Sequence, residues 1–376
     1  MQTIHGWMSS SVPLVNAGGF GMRVLITGGA GFVGSNLALS FKQQHPSATV
    51  VAFDNLRRRG AELNLALFKK SDIKFVHGDV RILHDLEDLE GNFDVFIEAS
   101  AEPSVLAGIK NSPRYVVQTN LTGTLNCLEF ARLRAPNLIF LSTSRVYSIG
   151  PLREIALKET PSRFEIAECQ RLTGVSTKGI AEDFPVHQPR SLYGATKLAS
   201  ELILQEYVEL YGLRGVINRC GVIAGPGQFG KVDQGVFTLW VSSHFFKRPL
   251  TYTGFGGTGK QVRDLLHPAD LYSLLKEQIE HLEDCSGEVF NVGGGPTNST
   301  SLRELTATCQ NVVGNEIPIA ASPESSQVDI PLYISDHSKA STIFGWQPKH
   351  SVSDIVGSIF NWLKANQEAL KPIFTG

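Results

Sequence analysis

The sequence predicts a doubly wound α/β fold, with a parallel sheet covered by helices and a smaller C-terminal α/β lobe. Three observations predict it. Short, β-branched, apolar runs alternate with helical patterns through the N-terminal half. A glycine-rich turn follows the first of these runs at once. From about residue 216 the rhythm changes, with Gly and Pro recurring in GPGQFG, TGFGGTGK and VGGGPTN.

The runs are RVLIT (23–27), TVVAFD (49–54), IKFVHGD (73–79), FDVFIEAS (93–100) and NLIFLST (137–143). Strands that read as continuous apolar runs are buried on both faces, and the helices between them supply right-handed crossovers. Helices are expected over 32–45, 113–135 and 191–212, with Gly212 as the stop of the last. The long stretch between Thr143 and Tyr193 is rich in loop formers, and such loops are functional or disordered. The division that follows is 1–21 as an extension outside the fold, 22–217 as the first domain, and 218–376 as a second lobe threaded partly back through it.

With 376 residues, 42% hydrophobic and 19% charged, the chain can bury a core large enough for two lobes. A formal charge of −2 points away from a nucleic-acid groove or a basic membrane surface and toward a small-molecule partner. Five scattered cysteines without a CxxC pair suggest neither a disulfide framework nor a zinc site, which fits a reducing cytoplasm. The ten histidines show no HExxH spacing, and no metal is expected. No apolar run approaches the ~20 residues that span a bilayer. The first residues lack the basic start and apolar core of a secretory signal.

Strand RVLIT runs into TGGAGFVGSN, which spaces Gly28, Gly31 and Gly34 by three. Glycines there allow a sharp turn, close approach of backbone N–H groups to a pyrophosphate, and tight packing of helix on strand. Asp54 closes the next strand, 20 residues after Gly34, where its carboxylate can accept hydrogen bonds from a ribose diol. Strand, turn, helix and acid in this order define a dinucleotide-binding Rossmann unit, so 22–217 is read as the NAD-binding domain. Asp54 repels a ribose 2′-phosphate and favours NAD, whereas Arg57, Arg58 and Arg59 could bind that phosphate and favour NADP. Asp79 and Val80, ending the third strand, would lie near the adenine or simply form a strand-to-loop turn. GFGGTGKQ (254–261) nearly spells a phosphate loop, but Gln261 replaces the hydroxyl that would hold magnesium.

In SLYGATK (191–197), Tyr193 and Lys197 are about one helical turn apart and share a face. A cation beside a phenol favours the ionised form, which makes Tyr193 a base. Ser142, Thr143 and Ser144 end the fifth strand, at the sheet edge where open α/β folds bind ligands.

Together Gly28, Gly31, Gly34, Asp54, Thr143, Tyr193 and Lys197 resemble an extended short-chain dehydrogenase/reductase of the NAD-dependent epimerase/dehydratase family, over residues 22 to about 365. The resemblance implies that Tyr193 takes a proton from a sugar hydroxyl as its carbon gives up a hydride, that Thr143 hydrogen-bonds the same oxygen, and that Lys197 binds the nicotinamide ribose. Free tyrosine titrates near 10, so a phenolate at neutral pH needs a shift of ~3 units, about 4 kcal/mol, which Lys197 and the nicotinamide would supply. By the same likeness Phe32, Val33, Asn55, Asp79, Val80, Ala99 and Asn120 join the cofactor set. Thr143, Gln228, the Asp233-Gln234 pair and Arg263 face the substrate, Arg263 at its diphosphate.

FDNLRRRGAELNL (53–65), GQFGKVDQG (227–235) and GKQVRDLLHPAD (259–270) look like the CDP-paratose (CDP-tyvelose) 2-epimerase branch. The implied function is an NAD-dependent nucleoside-diphosphate-sugar epimerase acting at carbon 2 of a CDP-sugar. Alternatives are a UDP-sugar 4-epimerase, a non-catalytic NAD-binding sensor and a reductase that consumes NADPH. A homodimer formed through helices 113–135 and 191–212 is expected by analogy. The pattern breaks in places. Ser144-Arg145 stands where dehydratases carry Asp-Glu, which argues against dehydration. Glu98-Ala99-Ser100-Ala101-Glu102 replaces the usual His-Leu-Ala-Ala, and Val222 and Pro331 replace an asparagine and an arginine.

Overall fold

The computed structural model describes residues 21–109, 112–230 and 234–375. The expected N-terminal extension, apart from Gly21, and Asp233 lie outside the described residues.

Strands β1 (Arg23–Thr27), β2 (Thr49–Asp54), β3 (Lys74–His77), β4 (Val95–Glu98), β5 (Asn137–Thr143), β6 (Arg214–Cys220) and β7 (Val289–Val292) form one seven-stranded sheet. All its pairs are parallel, in the order β7-β6-β5-β4-β1-β2-β3. The order reverses between β1 and β4, which opens a crevice at the carboxyl ends of these strands. Alternation along β1 sends Val24 and Ile26 into the core on one face and Leu25 into the core on the other. The expected doubly wound sheet is therefore present, buried on both sides.

Helices α1 (Phe32–Gln44), α2 (Gly123–Arg134) and α3 (Leu192–Tyr211) position the site. Ser191 caps α3 by accepting a hydrogen bond from the Gly194 N–H at 3.2 Å, and Gly212 ends it at φ 67°. The helix expected over 113–135 is interrupted: one turn over Arg114–Val117 passes through a π-helical turn at Gln118–Thr122 before α2 begins. Such wide turns recur at functional sites because they re-aim side chains.

The stretch between Thr143 and Tyr193 carries a short helix, Ile149–Glu154, and two small hairpins. Its Tyr147, Leu152, Ile155 and Phe184 pack with Ile330 and Tyr333 of the C-terminal part. Ile180 accepts a backbone hydrogen bond from Asp336 at 2.9 Å and donates one to Ile334 at 2.8 Å. The insert thus joins the second lobe, although it precedes the expected boundary in sequence. That boundary, 217/218, also falls inside β6, whose pairing with β5 and β7 runs unbroken to Cys220. Later in the chain β7 returns to the first sheet and pairs with β6.

The rest of the lobe is built on strands Val222–Ile223, Val262–Leu266, Ser299–Ser301 and Leu332–Tyr333, with helices Val236–Phe245, Leu302–Val313 and Val352–Ala365 around a separate apolar core. Residues 254–261 form a tight turn instead of a strand-to-helix phosphate loop, and Lys260 pairs with Glu159 at 2.8 Å. No helix among the described residues is long and apolar enough to cross a membrane.

Candidate active site

A cavity of about 540 Å³ opens at the carboxyl edge of the sheet, between the two lobes. Gly28, Gly31, Phe32, Val33, Gly34, Asp54, Asn55, Val80 and Ala99 line it on the first domain's side, and Thr143 and Tyr193 form its inner wall. Gln228 and Gln234 close it from the second lobe. Residues from many separate segments thus meet around one space, while Asp79, Asn120, Lys197 and Arg263 do not line it.

The glycine turn fits a dinucleotide. Gly28 sits at φ 63°, and a Cβ there would stand 2.8 Å from the Ala99 carbonyl oxygen. A Cβ on Gly34 would stand 2.2 Å from the Gly28 carbonyl oxygen, so any larger residue would force the turn open. Helix α1 starts directly behind it with no acidic residue in its first turn, leaving unpaired N–H groups and a partial positive charge facing the cavity. Asp54 accepts hydrogen bonds from the N–H groups of Leu56 at 2.7 Å and Ala30 at 3.1 Å. Burial nevertheless pushes its carboxyl above the usual range.

The three arginines after β2 line the cavity beside Asp54 and also hold partners of their own. Arg57 lies 4.1 Å from the ring centre of Tyr115, Arg58 donates to the Phe229 carbonyl at 3.1 Å, and Arg59 to that of Pro372 at 3.1 Å. Arg58 and Arg59 thereby tie the first domain to the C-terminal lobe, while Arg57 stays within the first domain. Asp79 does not line the cavity. Arg81 and Asn55 hold it, and although burial raises its carboxyl, their hydrogen bonds bring it down to about 2.

Asn120 lies behind the cavity wall and is fully buried. Its amide accepts from the Glu102 N–H at 2.8 Å and donates to the Glu102 carbonyl at 3.1 Å, so it braces the loop after β4. Gln228 reaches the wall, but its amide is committed to the Ile223 carbonyl and the Thr238 hydroxyl. Gln234 differs: its Oε1 is buried without a hydrogen-bond partner among the described residues. Arg263 does not line the cavity, and its guanidinium donates to the carbonyls of Val262 at 2.7 Å and Ile330 at 2.8 Å. Burial and the nearby charge of Arg145 push Arg263 down to about 9.

Tyr193 and Thr143 both line the cavity, and Tyr193 is 9% exposed. The expected charge balance is not what the chain's own residues produce. Burial pushes the phenol up to about 12, partly offset by Thr143 and the charge of Arg145, while Glu98 pushes it further up. Lys197 is buried too, but its ammonium is paired with the Glu98 carboxylate at 3.5 Å. It also stands 4.0 Å from the ring centre of Phe140.

Arg145 and Glu98 were seen in sequence only as departures from a pattern. Arg145 follows the Thr143 hydroxyl, its N–H donating to Oγ1 at 3.2 Å, and its charge reaches both Tyr193 and Arg263. The signal that could have found it was its place two residues after a site threonine. Tyr115, stacked under Arg57 and Arg81, had no such signal. Among the described residues no group of three or more His, Cys, Asp or Glu side chains could hold a metal ion.

A parallel sheet reversing at its centre, a glycine cradle at a helix N-terminus and a Tyr–Thr pair beside it are the parts of a nicotinamide-dependent enzyme. The model of the NAD dependent epimerase/dehydratase family matches residues 24–293, and the chain belongs to that family, with NAD as its cofactor. The chain is 32% identical over 355 residues to a CDP-paratose 2-epimerase of Salmonella typhi, covering 91% of this chain and 99% of that protein. It is 28% identical over 358 residues to a UDP-glucose 4-epimerase of Halalkalibacterium halodurans, covering 91% and 96%. The crystal structure of UDP-glucuronic acid 4-epimerase from Bacillus cereus, in complex with UDP-glucuronic acid and NAD, superposes with a TM-score of 0.73 at 24% identity, over 92% of this chain and 99% of that one.

Proposed function

We propose that the protein inverts one hydroxyl-bearing carbon of a nucleoside-diphosphate sugar, by oxidising it and reducing it again from the other face. Tyr193 and Thr143, side by side on the wall of the glycine-lined cavity, carry this reading. When bound, NAD supplies a hydride acceptor that returns what it takes. Tyr193 Oη removes the proton of the reacting hydroxyl and later gives it back, while Thr143 holds the same oxygen in line. Lys197 holds the cofactor's ribose side, and Gly28, Gly31 and Gly34 admit its pyrophosphate. Gln234, on the cavity wall, offers a donor or acceptor to the sugar nucleotide, whereas Arg263 could meet its diphosphate only by releasing the carbonyls of Val262 and Ile330.

Two substrates have support. Epimerisation at carbon 4 of a UDP-sugar is backed by the larger number of similar proteins and is the stronger reading. Carbon 2 of a CDP-sugar is backed by the 32% identical relative and by the GQFGKVDQG segment. Incubating the purified, NAD-loaded protein with UDP-, CDP- and GDP-sugars, with products assigned by NMR, decides between them. Inertness toward all three classes would overturn the proposal. Net change in nicotinamide absorbance during turnover would convert it to a reductase.

A further inference from the structure

Glu98 ends β4 under the floor of the cavity and has no role in the chemistry above. Its side chain and that of Lys197 are each 1% exposed, with Oε2 and Nζ 3.5 Å apart. Its other oxygen, Oε1, accepts a hydrogen bond from the Ser100 hydroxyl at 2.7 Å, and Ser100 Oγ lies 3.2 Å from Thr27 Oγ1. Oε2 itself accepts no hydrogen bond. Glu98 is the one carboxylate paired with Lys197 among the described residues.

Opposite charges this close in a dry site nearly cancel at a distance, so the ammonium presents little net field to the phenol one turn away. The remaining groups facing Tyr193 come from other elements: Thr143 and Arg145 at and after the end of β5, and Cys220 from β6. Lys197 is faced also by Cys127 from α2 and by Cys220. Burial pushes the Cys220 thiol up to about 12 and that of Cys127 well above its ordinary value, so neither carries charge at neutral pH. The local balance is therefore between Arg145, Lys197 and Glu98.

We propose that Glu98 is a positioning residue that anchors the Lys197 ammonium and neutralises it, keeping Tyr193 a protonated phenol until further positive charge enters the cavity. This rests on Tyr193 being the base. It makes readiness for proton abstraction a property of the loaded site rather than of the bare protein. It also accounts for an acid placed at a buried strand end, where a charge without purpose would be costly.

The sign is explicit: removing the negative charge frees the ammonium's field and lowers the pH at which the phenolate forms. The test is ultraviolet difference absorption of the Tyr193 phenolate in the NAD-loaded protein, taken against Tyr193→Phe, with and without Glu98→Gln. The midpoint is expected to fall by about one unit. In the pH profile of kcat/KM, the rate on the acid limb should rise about tenfold. A midpoint that stays put, or rises, overturns the inference. If Glu98→Gln does not fold, Glu98→Asp withdraws the charge by one methylene and should move the midpoint the same way by less; no movement there overturns it equally. Absence of turnover in the wild type would defeat the function proposed above, while the spectroscopic midpoint would still decide the role of Glu98.

Discussion

At the residue scale, Tyr193 carries the chemistry, and Tyr193→Phe should abolish sugar conversion while the protein still binds NAD. Turnover by NMR alongside cofactor binding checks it; unchanged turnover would remove the proposed base, and it would separate an enzyme from a sensor of the same fold. Gly34 is the tighter steric constraint. A methyl group there meets the Gly28 carbonyl at 2.2 Å, so Gly34→Ala should weaken NAD binding by about tenfold or more, equivalent to about 1.4 kcal/mol, in a fluorescence titration with NADH. Both residues were legible in sequence because their signals are local: a turn needs glycine, and a one-turn spacing places two side chains together. Glu98 was not, since its pairing with Lys197 joins a strand end to a distant helix.

At the element scale, the site is held from below by a buried ionic network. Arg219 on β6 donates to Glu201 on α3 at 2.8 Å, Glu201 accepts from the Ser142 hydroxyl on β5, and Arg219 also reaches the Glu182 carbonyl of the insert at 3.1 Å. Asn291 on β7 accepts from the Tyr147 hydroxyl at 2.7 Å. The network locks the ends of three strands and the helix that bears Tyr193 and Lys197. Glu201→Gln leaves a buried guanidinium without its carboxylate and should cost about 3–5 kcal/mol of stability, read by urea unfolding. A loss within experimental error would show that α3 is held by its apolar face alone. The interrupted helix before α2 is another element that sequence blurred. It runs through Val116, Val117, Thr119, Asn120 and Thr122, all weak helix formers, and its wide turn carries the Asn120 that braces Glu102.

At the scale of the whole molecule, α2 and α3 leave Leu125, Leu133, Leu202, Leu210 and Tyr211 exposed, Leu133 by 66% and Leu210 by 65%. Large apolar side chains gathered on neighbouring helices mark an interaction surface. We propose that a second copy of the chain covers it, the homodimer expected from these two helices. Leu133→Glu with Leu210→Glu should then yield a monomer in sedimentation velocity while the fold persists; a monomeric wild type would refute the arrangement. The two lobes meet across the cavity through Asn36, which donates to the Pro226 carbonyl at 3.0 Å, and through Arg58 on Phe229.

Strands β6 and β7 emerged only in the structure, whereas sequence by itself determined the first five sheet strands, the glycine turn, Asp54 and the Tyr193 helix. Each depends on residue type and short-range spacing: apolar runs, φ > 0, a cap, a helical turn. Tertiary structure alone decided that the 144–190 insert packs with the C-terminal part, that Arg58 and Arg59 serve as ties, and that Arg263 is bound to carbonyls. It also decided that Lys197 faces a carboxylate. Those outcomes depend on which buried charges meet after the chain has closed, and Coulomb interactions between remote residues leave no period in a sequence.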